Sequence, residues 1–169
     1  MTGSTSAASG ARLQLVTFRV GDDRFAADIV AVERVLRFTA PRPIPNVPTW
    51  LEGVIDYGGR LVPVIDLRNR FELAAAPSRA GARILVVSAG ADWIGAIVDA
   101  VDEVIVVPVE QLVPPPALFR GLAKPYLKAL VRRGKDGEES LVVLDVAHLL
   151  TSRERLVLEQ AVAGATDHV

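Results

Sequence analysis

Cysteine is absent from the chain. That excludes disulfide scaffolds, thiolate metal sites and cysteine nucleophiles. Aromatic residues make up only 5% of the sequence, so the apolar half of the composition is aliphatic: valine, isoleucine, leucine and alanine. Valine favours strands, because its branched β-carbon fits a pleated surface. No uninterrupted apolar run approaches the ~18 residues of a membrane span, which argues against membrane insertion. The opening "MTGSTSAASGARL" has no apolar core of a secretory signal. Nor is there an excess of either charge: 19 basic against 20 acidic residues leave a net charge of −1. A nucleic-acid interface would show a basic footprint, and a membrane surface a polybasic stretch. The expectation is a cytoplasmic protein without nucleic-acid partners. A mean hydropathy of +0.33 hints at apolar surface reserved for other proteins.

Catalytic signatures are missing too. No GxSxG, GxGxxG or Walker sequence occurs. Of two histidines, His168 is penultimate and reads as frayed. His148 has no His, Asp or Glu at metal-ligand spacing such as HExxH and reads as a packing or surface residue. Asp66 and Asp145 hold equivalent places in two similar segments, but neither lies in the D-[ST]-G loop of a paired-carboxylate enzyme. They read as turn-forming or helix-capping residues. Asp99, Asp102 and Glu103 are three acids close together without a calcium loop around them. They read as a solvated loop or a docking surface. The chain is therefore expected to have no catalytic residue, no metal and no cofactor.

What the sequence does have is a duplication. "LVTFRVGDDRFAADIV" (15–30) matches "ILVVSAGADWIGAIV" (84–98): strand, turn with Gly and Asp, aromatic, strand. "ERV" (33–35) matches "DEV" (102–104). The proline loop "PRPIPNVP" (41–48) is answered by Pro114, Pro115 and Pro116. "LEGVIDYGGRLVPVIDL" (51–67) is answered by "LKALVRRGKDGEESLVVLDV" (127–146). Each copy reads as a small unit of about five short strands. Short strands with Gly and Pro turns point to small barrels, and neither half is long enough for a sizeable core alone. Residues 73–82 read as the boundary between the copies. Gly58-Gly59 supplies the positive φ of a tight hairpin turn. Pro63 inside a strand implies an edge or a bulge. At the end, Thr151 and Glu154 form a capping box, with Leu156, Leu158 and Val162 as an apolar stripe.

Three stretches carry a family resemblance: "FRVGDDRFAADIVAVERV", "PTWLEGVIDYGGRLVPVIDLR" and "ILVVSAGADWIGAIVDAVDEV". They resemble the CheW family of chemotaxis adaptor proteins, from about Leu13 to Leu150. The second stretch is similar to the family's G-V-[IT]-N-x-R-G-x-[IV]-[VL]-P-[VI]-[VI]-D-L-R segment, which makes Pro63 part of the pattern. The resemblance implies a mainly all-β fold of two pseudo-symmetric five-stranded SH3-like β-barrels around a shared hydrophobic core. With the residue reading it gives a disordered tail over 1–12 and one domain over 13–150. The barrel units fall at about 13–73 and 83–146, with the N-terminal strand exchanged between them. A C-terminal helix over 151–163 and a tail over 164–169 follow.

The resemblance also implies function. The protein would be a non-enzymatic scaffold that joins methyl-accepting chemoreceptor tips to the CheW-like regulatory domain of a CheA-type histidine kinase. Kinase and adaptor barrels can alternate in rings, and CheW–CheW ring contacts follow the same geometry. Arg34, Gly58, Gly59, Arg60, Val98 and Asp99 are the expected receptor-binding residues. Val32, Gly53 and Val54 are the expected kinase-docking residues, with Gly53 allowing close backbone approach. Two positions depart from the family pattern. Asp56-Tyr57-Gly58-Gly59 stands where Asn-Leu-Arg-Gly is usual, and Arg34 stands where a glutamate is usual. The alternative from another class is a small-ligand-sensing β-barrel.

Overall fold

A computed structural model describes residues 10–114, 126–134, 136, 137 and 139–167. His168, Pro115, Pro116 and the tail over residues 1–9 lie outside the described residues. In chain order the strands are β1 (Arg12–Val20), β2 (Asp23–Asp28), β3 (Val32–Arg37), β4 (Leu51–Tyr57), β5 (Arg60–Asp66), β6 (Arg83–Ala89), β7 (Asp92–Val98), β8 (Ala100–Pro108), β9 (Leu112–Val113), β10 (Leu127–Arg133) and β11 (Glu139–Leu144). A single-turn helix α1 (Leu67–Arg70) follows β5, and α2 (Ser152–Asp167) ends the described chain. β1 begins at Arg12, inside the expected tail, because Arg12 pairs with Pro108.

The strands form two sheets, in the orders β8-β1-β2-β11-β10-β9 and β3-β6-β7-β5-β4. Each sheet draws strands from both copies, so a cut at 73–82 divides the sequence but not the sheets. The exchange involves the whole first hairpin of each copy rather than one strand. β1–β2 sits beside β8 and β11, and β6–β7 sits beside β3 and β5. The registers match position by position. In one sheet Val16 pairs with Ala27 and with Val104. In the other, Leu85 pairs with Ala96 and with Val35. Both sheets also contain one parallel pairing, Val143 with Ala26 and Val64 with Gly95.

Three cores follow from this arrangement. Leu15, Ile105, Val131, Leu141 and Val143 fill the six-stranded sheet's own concavity. Val64, Ile84 and Ile97 fill the other's. A larger core, with Phe18, Ile65, Leu85, Val87, Ile94 and Leu144, draws on both sheets. β5 and β6 are therefore buried on both faces, which explains why they read as nearly continuous aliphatic runs instead of alternating ones. Each fully buried Ile or Leu contributes about 1.5–3 kcal/mol.

Three expectations need correction here. β5 is an interior strand, and the edge is β4. Pro63 is tolerated because it precedes the β5–β7 ladder, which begins at Val64 and Gly95. The helix runs to Asp167, past the expected end, and its capping box is present: Thr151 N–H to Glu154 Oε1 at 2.9 Å and Glu154 N–H to Thr151 Oγ1 at 3.1 Å. Leu158 and Val162 face the core, but Leu156 is 59% exposed. Residues two apart on a helix point in nearly opposite directions, so Leu156 and Leu158 cannot share a stripe.

Candidate interaction surfaces

The β4–β5 turn is built by Gly58 at φ +60° and Gly59 at φ +81°, with Asp56 Oδ1 accepting the Gly59 N–H at 3.1 Å. An added Cβ would meet nothing within 4 Å at either glycine, but the backbone conformation itself is one that glycine favours. Arg60 is exposed, and its guanidinium lies 4.3 Å from the Trp93 ring centroid, with Tyr57 against the same ring at 5.4 Å. Arg34 is exposed on β3. β3 and β4 are opposite edge strands of the five-stranded sheet, so the ladder does not bring Arg34 beside the turn.

Val98 and Asp99 serve the interior. Val98 is 1% exposed, so its side chain is not available to line a groove. Asp99 accepts from Arg68 Nε at 3.0 Å on both oxygens, from Arg68 Nη2 at 2.9 Å and from the Gly21 N–H at 2.7 Å. Burial pushes its carboxyl up, but the Arg68 hydrogen bonds, the Gly21 amide and the arginine charge outweigh that and hold it below the usual carboxylate range. The pair ties α1 and the β1–β2 turn to the β7–β8 junction. Asp102 and Glu103 lie in a strand, not a loop, and are drawn into ion pairs by Arg24, with Arg19 also on Asp102. Among the described residues no group of three or more His, Asp or Glu could hold a metal ion.

The expected kinase-docking set is also largely interior. Val54 is 2% exposed, and its N–H and C=O bond the Arg42 backbone at 3.0 and 2.8 Å. Gly53 is buried at φ +151°, and a Cβ there would overlap the Arg42 carbonyl. Its close approach is to its own chain. Val32 is half-buried against the shared core.

Other surfaces are open. On β8, Val104 and Val106 are 51% and 52% exposed, and Val35 on β3 is exposed in the equivalent place. Both strands are sheet edges. The internal match of "ERV" with "DEV" already aligned Val35 with Val104; what it did not reveal was that both strands end at an edge. A groove of about 430 Å³ runs along Val30, Ala31, Ser88, Lys128 and Asp145, where β2, the β6–β7 turn, β10 and the end of β11 meet. Val30, 86% exposed, is its most prominent apolar group.

The sequence profile of the CheW-like domain matches residues 14–154. The chain belongs to the CheW-like family. It is 31% identical to the chemotaxis protein CheW of Treponema pallidum (strain Nichols) over 85% of each chain. It is 30% identical to that of Klebsiella aerogenes over 86% of each. Among solved structures it is similar to the scaffolding protein TtCheW from Thermoanaerobacter tengcongensis, with a TM-score of 0.73, 25% identity, and coverage of 85% of this chain and 97% of that one.

The CheW-like match begins inside β1, takes in the remaining strands and stops at residue 154 in the first turn of α2. The rest of α2 lies beyond it. Arg34 and Gly58 are both at solvent-exposed positions.

Proposed function

We propose that this CheW-family scaffold performs no catalysis and couples methyl-accepting chemoreceptor tips to the CheW-like regulatory domain of a CheA-type histidine kinase. It would act in the cytoplasm, recruited to receptor arrays at the membrane. The observation that carries the reading is the pair of equivalent edge strands, β3 and β8, with outward valines at Val35, Val104 and Val106. An exposed aliphatic edge strand is a pairing liability unless a partner covers it. A second barrel of the same kind offers a matching edge, and ring contacts between copies would use the same strands. The groove beside Val30 suits a helical partner, which inserts apolar side chains at helical spacing. Asp66 and Asp145, the only carboxylates with equivalent places that suggested chemistry, each serve a local cap: the Arg68 N–H at 2.9 Å and the Ala147 N–H at 3.2 Å.

Titration with a purified receptor-tip fragment and a kinase regulatory domain tests the reading. Val104→Arg should weaken the kinase domain and spare the receptor, and Val30→Asp the reverse, each by about tenfold or more. Unaltered affinities in both titrations would overturn the assignment of these surfaces; no binding by the unaltered chain would overturn the scaffold reading itself.

A further inference from the structure

β5 and β7 pair only from Val64 and Gly95 onward. Before that point the strands part, and α2 lies across the opening. The result is a cleft of about 290 Å³ walled by β5, β7 and α2. This is the small end of the range for small-molecule sites. Its walls are mostly aliphatic: Leu61, Val62, Pro63, Leu158 and Val162, with the Trp93 ring on one side.

The backbone of β5 explains the polarity of the cleft. Val54 turns its N–H and C=O outward to Arg42. In an antiparallel pair a residue that faces away from its partner is opposed by one that does the same. Pro63 is opposite Val54, so its nitrogen faces the β7 side. It carries no N–H, and this stretch of wall therefore buries no donor that an apolar ligand would leave unsatisfied. Two residues earlier, Leu61 turns its N–H the same way, where the β5–β7 ladder has not begun. At the mouth, Arg60 is held on the Trp93 ring at 4.3 Å. None of the ion pairs among the described residues includes Arg60. Asp92 and Glu159 stand on the rim.

The geometry points to a binding site for a small amphiphile with an aliphatic body and one anionic head, such as a medium-chain carboxylate. The body lies between Pro63 and α2. The head meets the Arg60 guanidinium and the Leu61 N–H. The two rim carboxylates repel a polyanion such as a nucleotide more strongly than a single anionic head, which the Arg60 guanidinium and the Leu61 N–H meet directly. The site is separate from β3, β8 and the Val30 groove, so it does not rest on the scaffold reading.

The test uses the full chain labelled with nitrogen-15, whose two tryptophans give two indole N–H signals, assigned with Trp93→Phe. Sodium decanoate, kept below its micellar concentration, should shift the Trp93 signal saturably and leave that of Trp50 in place. Arg60→Gln should weaken decanoate about tenfold, the loss of one charge-assisted hydrogen bond, and leave neutral decanol within about twofold. Glu159→Gln should tighten decanoate about two- to threefold, which a merely structural lesion would not do. Ala163→Trp, on an exposed part of α2 at the cleft, should abolish both ligands with the melting temperature retained. A drift without saturation, equal movement of both indoles, or decanoate binding unchanged in Arg60→Gln and Ala163→Trp would each overturn the site.

Discussion

The hairpins β4–β5 and β10–β11 hold equivalent places in the two sheets, with their bulges in step. Leu51 and Gly53 oppose Ile65 and Val64, while Leu127 and Ala129 oppose Leu144 and Val143. At the bulge one hairpin has glycine and the other alanine. The difference lies in what borders the outer edge. β10 is followed by β9, a regular strand neighbour. β4 is crossed instead by the proline loop, whose Arg42 makes a single two-bond bridge to Val54. That crossing is close enough to exclude a Cβ at Gly53: Pro41 Cβ would stand 3.2 Å from it and the Arg42 carbonyl carbon 2.8 Å. A loop can seal a sheet edge as a strand does, but it then dictates the residue beneath it.

Breaking that comparison gives the largest expected effect. Gly53→Ala combines a positive φ with backbone overlap and should lose about 3 kcal/mol or more. Ala129→Gly, at the equivalent bulge, should lose about 1 kcal/mol. Chemical denaturation of both variants measures the difference. Equal losses would mean that the Arg42 crossing yields easily and does not constrain β4. Gly53→Asp, at a residue expected from sequence to contact the kinase, should on this geometry lower stability and binding together.

The caps that follow the two hairpins differ in the same direction. Asp66 is buried, caps α1 through the Arg68 N–H and pairs with Arg79 at 2.7 Å. Asp145 is more open, caps a 3₁₀ turn through Ala147 and bonds His148 Nδ1 at 2.8 Å. Asp66→Ala removes both the cap and the partner of the partly exposed Arg79 and should lose about 2 kcal/mol. Asp145→Ala should lose about 1 kcal/mol, an ordinary cap. Thermal or denaturant unfolding of the pair decides it, and a larger loss at Asp145 would reverse the ranking.

The parallel strands sharpen it further. Ala26 on β2 and Gly95 on β7 are equivalent, yet a Cβ on Gly95 would lie 2.9 Å from Ile84 Cγ2 and 3.2 Å from Val64 Cγ2. In the other sheet Leu15 stands in the place of Ile84, and a leucine has no branch at Cβ. Gly95→Ala should lose about 1–3 kcal/mol by overpacking, and Ile84→Leu in the same chain should restore part of it. A double variant no better than the single one would show that Val64, not Ile84, closes the site.

The duplication made the strand sequence and the equivalent positions legible: residues 84–98 repeat 15–30, and Val35 aligns with Val104. Which hairpin joins which sheet was not legible, because both copies offer the same aliphatic face and nothing in their local pattern separates exchange from its absence. Exposure was the other blind spot. Val54 and Val98 look like any surface valine of an edge strand until β4 is sealed by Arg42 and β7 is placed in the interior. Arg60 reads as a turn residue beside Gly58-Gly59, and its stacking on Trp93, far along the chain, was not legible. Asp66 and Asp145, by contrast, were readable as caps because a cap is settled within three residues.

The smallest effect separates two acids, Glu52 of β4 and Glu154 of α2. At Glu154 burial pushes the carboxyl up, but Arg70, at 2.9 and 3.1 Å, and the Thr151 amide outweigh it, so its pKa falls below the ordinary value. A depressed native pKa contributes stability above the unfolded value, which is lost as pH falls through the carboxylate range to the native one. Asp99 behaves in the same sense. Glu52 is the opposite case: burial first, then the charge of Asp66, raise its pKa, and the Arg79 charge only partly offsets them. A raised native pKa favours the fold below the unfolded value and loses that contribution as pH rises through the native one. Glu154→Gln should therefore lower stability at neutral pH, with the difference shrinking in acid. Glu52→Gln should raise stability at neutral pH, also with a difference that shrinks in acid. Both groups are partly solvated, so each difference should be only about 0.5 kcal/mol after screening. Urea midpoints of the three proteins across the acid-to-neutral range measure it. A Glu154→Gln protein no less stable than the parent at neutral pH would mean that the Arg70 clamp on α2 contributes nothing, and a Glu52→Gln protein less stable than the parent would mean that burial does not penalise the Glu52 carboxylate.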